Sequence, residues 1–212
     1  MYDDVVGFFQ DGGVFMVPIA FVLAFGLAIA IERYIYLTAS KLGNRMLLSK
    51  LLPLLQKGDY QQAYNITSKS NKAVCRMLGQ GLARYKSAPN RDDIEAAMEE
   101  SMMEAIPRLE KRTHYLATAA NIATLLGLLG TIWGLIQAFK AVAKVDPALK
   151  AEILSESISV AMNTTAFGLM VAIPLLIIYS ILQTKTTEIV DSLEMATVKF
   201  VNLLVQHKPS GN

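Results

Sequence analysis

The sequence predicts an all-α membrane protein: three transmembrane helices, with long helices that continue into a helical domain on one side of the bilayer. Three observations predict it. The 212 residues are 53% hydrophobic and only 18% charged, against about 25% charged in soluble chains. The missing charge is concentrated by position: 14–31, 116–139 and 158–182 are nearly charge-free. Each meets the roughly 18–20 residues needed to cross about 30 Å of hydrocarbon. No stretch alternates with strand period, and no internal repeat or low-complexity tract interrupts the helical pattern.

The chain starts with an acidic segment, 1–13, that holds Asp3, Asp4 and Asp11 and no Lys or Arg. A cleavable signal needs a basic start, so 14–36 reads as a retained first span with the N-terminus outside. Between Arg33 and Tyr115 lie 14 of the 20 Lys and Arg residues. Positive residues collect on the cytoplasmic side, so 37–114 is read as a cytoplasmic domain. The second span is 115–139 and the third 158–182. The link between them, 140–157, balances Lys140, Lys144 and Lys150 against Asp146, Glu152 and Glu156, and is periplasmic. Three crossings then leave 183–212 as a cytoplasmic tail. The net charge of +2 follows from this topology and points to no nucleic-acid partner.

Within 37–114 the pattern is helical throughout. Leucines repeat at helical spacing over 44–56, with Pro53 placed to bend or interrupt the helix. Gly58-Asp59 breaks the pattern, and Asp59 suits an N-cap for a helix over 60–68. Val74, Met77, Leu78 and Leu82 mark an amphipathic helix over 73–85. A loop at 87–90 follows, and Asn90 can cap a helix whose first turns are acidic, as the macrodipole favours. That helix is expected to run through Glu110 into the second span as one rod, with Pro107 a kink. The basic face of 41–50 is either solvated or laid on anionic membrane lipids. Met98, Met102 and Met103 suit helix packing or an adaptable partner surface.

The spans carry more than apolar bulk. In Gly-Leu-Leu-Gly-Thr-Ile-Trp-Gly at 127–134, Gly130 and Gly134 share a face, the small-xxx-small pattern of helix association in bilayers. Gly127 adds a third position where a neighbour can approach the backbone. Asn121, Thr124 and Thr131 fall within about a quarter-turn at 100° per residue. On the third span Ser157, Ala161, Thr164, Thr165, Gly168 and Ala172 form a small, partly polar stripe. Phe167, Met170, Leu175, Ile177 and Ile178 are assigned to its bulky, lipid-facing side. The hydroxyls either satisfy backbone carbonyls and permit close packing, or line a polar path. Glu32 stands beside Arg33 at the inner end of the first span, suited to pairing or headgroup contact. Glu156, with Asn163 seven residues on, is either a solvated flank or a cation port.

Enzyme chemistry has no supporting constellation. His114 and His207 stand apart, and His114 at the mouth of the second span is an interfacial anchor or a proton relay. Cys75 has no partner cysteine, so neither a disulfide nor a metal site is expected, and its thiol is read as buried and inert. The glycine-rich run lacks the Lys-Ser/Thr of a phosphate-binding loop. No cofactor is expected.

At these residues the chain resembles the ExbB/TolQ branch of the MotA–TolQ–ExbB family. The resemblance rests on 125–139 and on Ile-Ser-Val-Ala-Met-Asn-Thr-Thr-Ala-Phe-Gly-Leu-Met-Val-Ala-Ile-Pro at 158–174, ending in Pro174. It extends to Ile-Pro-Arg-Leu-Glu at 106–110, to Asn-Ile-Ala at 121–123 and to the three-span layout. It implies a homo-oligomeric ring, pentameric in this family, around transmembrane helices of a single-span ExbD- or TolR-like partner whose aspartate carries protons. A TonB- or TolA-like protein would carry the work across the periplasm. By position, Thr131 and Thr165 match the family's pore-facing threonines. With Thr164, Asn121, Thr124, Asn163 and Glu156 they make the expected ion pathway. Gly127, Gly130, Gly134, Ala161, Gly168, Ala172 and Pro174 make the expected packing and partner interface.

Two positions depart from the family pattern. A glutamate common five residues before the third-span threonine is Val160 here, and a proline common before the first motif glycine is Thr124. Glu156, Asn163 or the partner's aspartate would then serve in place of the glutamate. The implied function is an inner-membrane proton-channel subunit of a TonB-type uptake system. The alternatives are a Tol envelope system, a motility stator or a non-conducting scaffold. Flagellar stator subunits of this family usually have four spans, which counts against that reading.

Overall fold

A computed structural model describes residues 12–87 and 90–206, and His207 lies outside them. Among the described residues there are six α-helices and no strand: α1 Met16–Gln56, α2 Tyr60–Thr67, α3 Ala73–Ser87, α4 Arg91–Glu110, α5 His114–Val142 and α6 Lys150–Gln206. Three helical stretches, containing α1, α5 and α6, are long and apolar enough to cross a membrane. At 1.5 Å per residue α1 is about 60 Å long and α6 about 85 Å, so both outrun a hydrocarbon core of about 30 Å.

The chain divides into two compact units. One comprises the described residues up to Arg33 together with Arg112–Ile181; the other comprises Tyr34–Lys111 and the chain from Leu182 onward.

In the first unit small residues form the buried faces that α5 and α6 turn toward each other. Ala119, Ala120, Ala123, Gly127 and Gly130 are buried on α5, and Ala161, Thr164, Gly168 and Ala172 on α6. The periphery is bulky: Phe21, Leu125, Trp133, Phe139, Met170 and Ile177 are each more than half exposed. A water-soluble fold would hide such residues, whereas lipid tails meet them at no cost. Phe167 and Leu175 depart from the lipid-facing assignment. Both are buried, and a Cβ on Gly26 of α1 would stand 2.7 Å from Leu175 Cδ2. The absent side chain at Gly26 is what admits Leu175 to the interior.

The second unit has an ordinary amphipathic core. On α3, Val74, Met77, Leu78 and Leu82 are buried as their spacing predicts. A Cβ on Gly81 would meet Met98 Sδ at 2.7 Å and Phe200 Cε1 at 2.8 Å, so that glycine seats α4 and α6 against α3. Met98 is fully buried while Met103 is 68% exposed. The residues after Leu182 continue α6, with Ile189, Leu193, Ala196, Phe200 and Leu204 buried at helical spacing.

The turns explain where the helices stop. Pro53 does not end α1. The end comes at Gly58, with φ +74°, where its N–H bonds Leu55 O at 3.2 Å and Asp59 N–H bonds Leu54 O at 3.0 Å, a Schellman C-cap. Asp59 then caps α2 through a 3.1 Å bond from Gln62 N–H. Asn90 occupies the N-cap of α4 without a side-chain capping bond.

The expectation of one rod from α4 into α5 is overturned. Lys111 leaves helical geometry and Arg112 takes φ +66°, a left-handed conformation that a helix cannot contain. Pro107 lies a turn earlier and is not the break.

Candidate functional site

The two family-like segments meet each other in the first unit. Gly127, Gly130 and Gly134 of α5 face Ala161, Thr164, Thr165 and Gly168 of α6. A Cβ on Gly127 would lie 3.2 Å from Thr165 Cα, and one on Gly168 would lie 2.7 Å from Ala123 O. One on Gly130 would meet Thr164 Cγ2, and one on Gly134 would meet Ala161 Cβ at 2.9 Å. The small residues therefore hold two backbones in direct contact, and the neighbour that fills the seam is the chain's own third span. Gly127 and Gly168 oppose each other, so neither has a side chain that could yield.

The hydroxyls at this seam are bound to main chain. Thr165 Oγ1 donates to Gly127 O at 2.8 Å across the helices. Thr164 Oγ1 lies 2.6 Å from Gly12 O and 3.1 Å from Val160 O, so its single proton goes to one or the other. Thr124 and Thr131 bond within α5, to Ala120 O at 3.1 Å and Leu128 O at 2.6 Å. These bonds use the donors and leave oxygen lone pairs as acceptors.

The remaining predicted residues lie elsewhere. Asn121 and Thr124 are exposed on α5, beside the glycine face, and Thr131 is half-buried. The side-chain amide of Asn121 makes no hydrogen bond among the described residues. On α6, Asn163 is half-buried, Glu156 and Pro174 are exposed, and Ala172 is buried. Glu156 and Asn163 thus stand on α6 away from the Gly127–Thr165 contact, and the polar face of α5 is distinct from its glycine face. His114 is exposed and tilted against Tyr115, ring centroids 4.3 Å apart.

Sequence reasoning missed the anchoring at Arg33. Glu32 pairs with Arg112 at 3.1 Å, because adjacent residues of a helix do not face each other. Arg33 is 3% exposed and its Nε donates to Thr113 Oγ1 at 3.3 Å. A charge directly after an apolar run was the available signal. Its partner eighty residues away was not readable.

No group of three or more His, Cys, Asp or Glu positioned for a metal occurs among the described residues. Bilayer-length apolar helices, a polar amide on an outer face and a glycine–threonine seam define a multi-pass helical membrane protein. The profile described as the MotA/TolQ/ExbB proton channel family matches residues 69–195, more than half of the chain, and the chain belongs to that family. It is a channel family rather than an enzyme family.

Among its relatives is a biopolymer transport protein ExbB homolog of Methanothermobacter thermautotrophicus, 28% identical over 92% of this chain and 68% of that one. The biopolymer transport protein ExbB of Aquifex aeolicus is 33% identical over 52% of this chain and 72% of that one. The Tol-Pal system protein TolQ of Haemophilus influenzae is 36% identical over 44% of this chain and 40% of its own.

Proposed function

We propose that this protein is an inner-membrane proton-channel subunit that works with a single-span ExbD- or TolR-like partner. Together they convert proton motive force into work on a TonB-like, periplasm-spanning protein that serves outer-membrane uptake. One observation carries the reading: Asn121 and Thr124 are exposed on a bilayer-length apolar helix. An amide facing lipid costs free energy unless something polar covers it. A ring of copies, pentameric as the resemblance implies, would turn that stripe toward a lumen and the partner's helices. Thr131, Thr164, Thr165 and Asn163 would complete the path with acceptor oxygens, and Glu156 would stand at its periplasmic end.

In this reading the N-terminus is periplasmic and the unit holding α2 to α4 is cytoplasmic, as the basic bias of 37–114 favours. One charge crossing 100 mV releases about 2.3 kcal/mol, so a few protons drive a modest conformational step. With Val160 in place of a glutamate, the proton-binding carboxylate belongs to the partner.

The test is co-reconstitution with a single-span ExbD- or TolR-like protein from the same organism, followed by proton uptake into liposomes. Uptake that disappears when the partner's membrane aspartate becomes Asn, and falls in Thr165→Val, supports the proposal. No uptake with an intact partner leaves a non-conducting scaffold. A Tol-type role is the second reading, because TolQ and ExbB proteins match this chain at similar identity, 36% and 39%. Co-purification of a TolA-like rather than a TonB-like protein would establish it.

A further inference from the structure

The second unit contains a concave site that the channel reading does not use. Three separate segments line a cavity of about 450 Å³: residues 36–40 of α1, the approach to α3 and its first turn at 69–76, and the end of α4 from Ser101 to Leu109. That volume is within the range of small-molecule sites, roughly 300–1,000 Å³. Lys69, Lys72, Arg76 and Arg108 all line it, and no carboxylate does.

The charge is not balanced from within the protein. Arg76 is held by Glu104 at 2.5 Å, whereas Lys69, Lys72 and Arg108 make no ion pair among the described residues. Carboxylates are used freely elsewhere in the same unit: Lys41 pairs with Glu188, Arg84 with Asp93 and Arg91 with Glu95. Three unneutralised cations around one concavity repel one another and focus a positive potential into it.

The other polar groups suit the same ligand. Ser40, Ser101 and Asn71 add hydroxyl and amide donors to the lining. Ala73, the first residue of α3, places the positive end of that helix at the wall. A single carboxylate cannot answer three cations and several donors, whereas a phosphate offers more charge and more acceptor oxygens.

We propose that this pocket binds phosphate, either as a free or soluble phosphorylated anion or as the headgroup of an anionic phospholipid. Both sources are chemically open to it. Tyr36, on its rim, is the last residue of the expected first span, 14–36, and Arg108 and Lys72 are exposed to solvent. The site stands on the pocket alone and does not depend on proton conduction.

The experiment uses the full-length protein in two arms. Inorganic phosphate is titrated into the protein in neutral detergent by calorimetry. Separately, protein extracted from phosphatidylcholine vesicles with and without phosphatidylglycerol is examined by native mass spectrometry for retained lipid. In the arm that binds, the double variant Lys72→Gln/Arg108→Gln should lose at least about tenfold in affinity, as the loss of charge-assisted hydrogen bonds implies. Lys72→Arg/Arg108→Lys should restore binding, and Glu104→Gln, which releases Arg76, should tighten it. Lys50→Gln/Lys57→Gln, outside the pocket, is the control. Saturable phosphate binding identifies a soluble ligand, and phosphatidylglycerol retention without phosphate binding identifies a lipid. Absence of both, or binding equal in the wild type and the Lys72/Arg108 variant, overturns the proposal.

Discussion

The Thr165 hydroxyl bridges to the Gly127 carbonyl oxygen at 2.8 Å, where no side chain separates the backbones of α5 and α6. Interhelical hydrogen bonds in bilayers are worth about 0.6 kcal/mol on average and up to roughly 1.7 kcal/mol. Thr165→Val keeps the shape and removes the donor, so it should lower stability by about 1 kcal/mol, whereas Thr165→Ser should preserve it. Reversible unfolding in mixed micelles reads the difference. Equal losses in the two variants would show that the methyl group, not the hydroxyl, holds the seam.

Glycine-to-alanine changes should differ in sign across the molecule. At Gly168 the added Cβ would stand 2.7 Å from Ala123 O and 3.1 Å from Gly127 Cα. Both are backbone atoms, so α5 must move, at a cost of about 1–3 kcal/mol. At Gly79, inside α3, the nearest atom is Thr67 Oγ1 at 3.4 Å, an ordinary contact. Gly79→Ala should therefore stabilise the protein by about 0.5–1 kcal/mol through helix preference. Thermal midpoints of the two variants, measured side by side, should move in opposite directions.

The contrast between those glycines marks what a sequence can reveal. The three apolar stretches, the amphipathic face of α3 and the Asp59 cap each depend on residues close in the chain, and local chemistry exposes them. Small residues at 127, 130 and 134 announce close packing, yet nothing local says that the third span of the same chain fills the gap. Bulk alone does not distinguish a lipid-facing side chain from a buried one, as Phe167 and Leu175 show, and the space for Leu175 is made by a distant Gly26. The break at Arg112 was hidden for a related reason. Pro107 offers the stronger local signal, but a left-handed Arg112 flanked by the Glu32 and Arg33 contacts is set by tertiary structure. The cationic pocket joins three segments that are distant along the chain, and neither its concavity nor its missing carboxylates could be read from the sequence.

Two adjacent charges at the end of the first apolar stretch should respond differently to removal. Glu32 and Arg112 are both about half exposed, and such pairs contribute about 0–1 kcal/mol. Glu32→Gln should change stability little. Arg33 is buried with its Nε on Thr113, and Arg33→Ala leaves both a cavity and an abandoned hydroxyl. Its cost should reach about 2 kcal/mol or more. Denaturant midpoints for Glu32→Gln and Arg33→Ala make the comparison, and equal midpoints would rule out an anchoring role for Arg33.

Tyr60 carries a hydroxyl that is buried without a hydrogen-bond partner among the described residues, while its ring packs against Tyr85 at 5.3 Å. Tyr60→Phe removes the orphaned group and retains the ring contact, so it should leave stability unchanged or raise it by up to about 1 kcal/mol. A clear loss of thermal stability in Tyr60→Phe would mean that the hydroxyl has a partner in solution.

Alkaline pH should weaken the second unit through Cys75. Burial pushes its thiol up from the ordinary value, and a hydrogen bond from Ser70 offsets part of the rise. The folded state therefore holds the thiol proton more tightly than the unfolded chain, whose thiol titrates near about 8.5. Between those two values the folded protein binds more protons, so stability falls as pH rises, by at most about 1.4 kcal/mol per pH unit. The contribution is complete below the unfolded value and is lost as pH climbs through the folded one. Tyr60, also raised by burial and by Tyr85, adds a second loss at higher pH. Denaturant midpoints from pH 7 to 10 should decline in the wild type and decline less in Cys75→Ala. Ellman's reagent should modify the native thiol far more slowly than the unfolded one at pH 8. An identical alkaline slope in Cys75→Ala would show that the thiol does not titrate differently on folding.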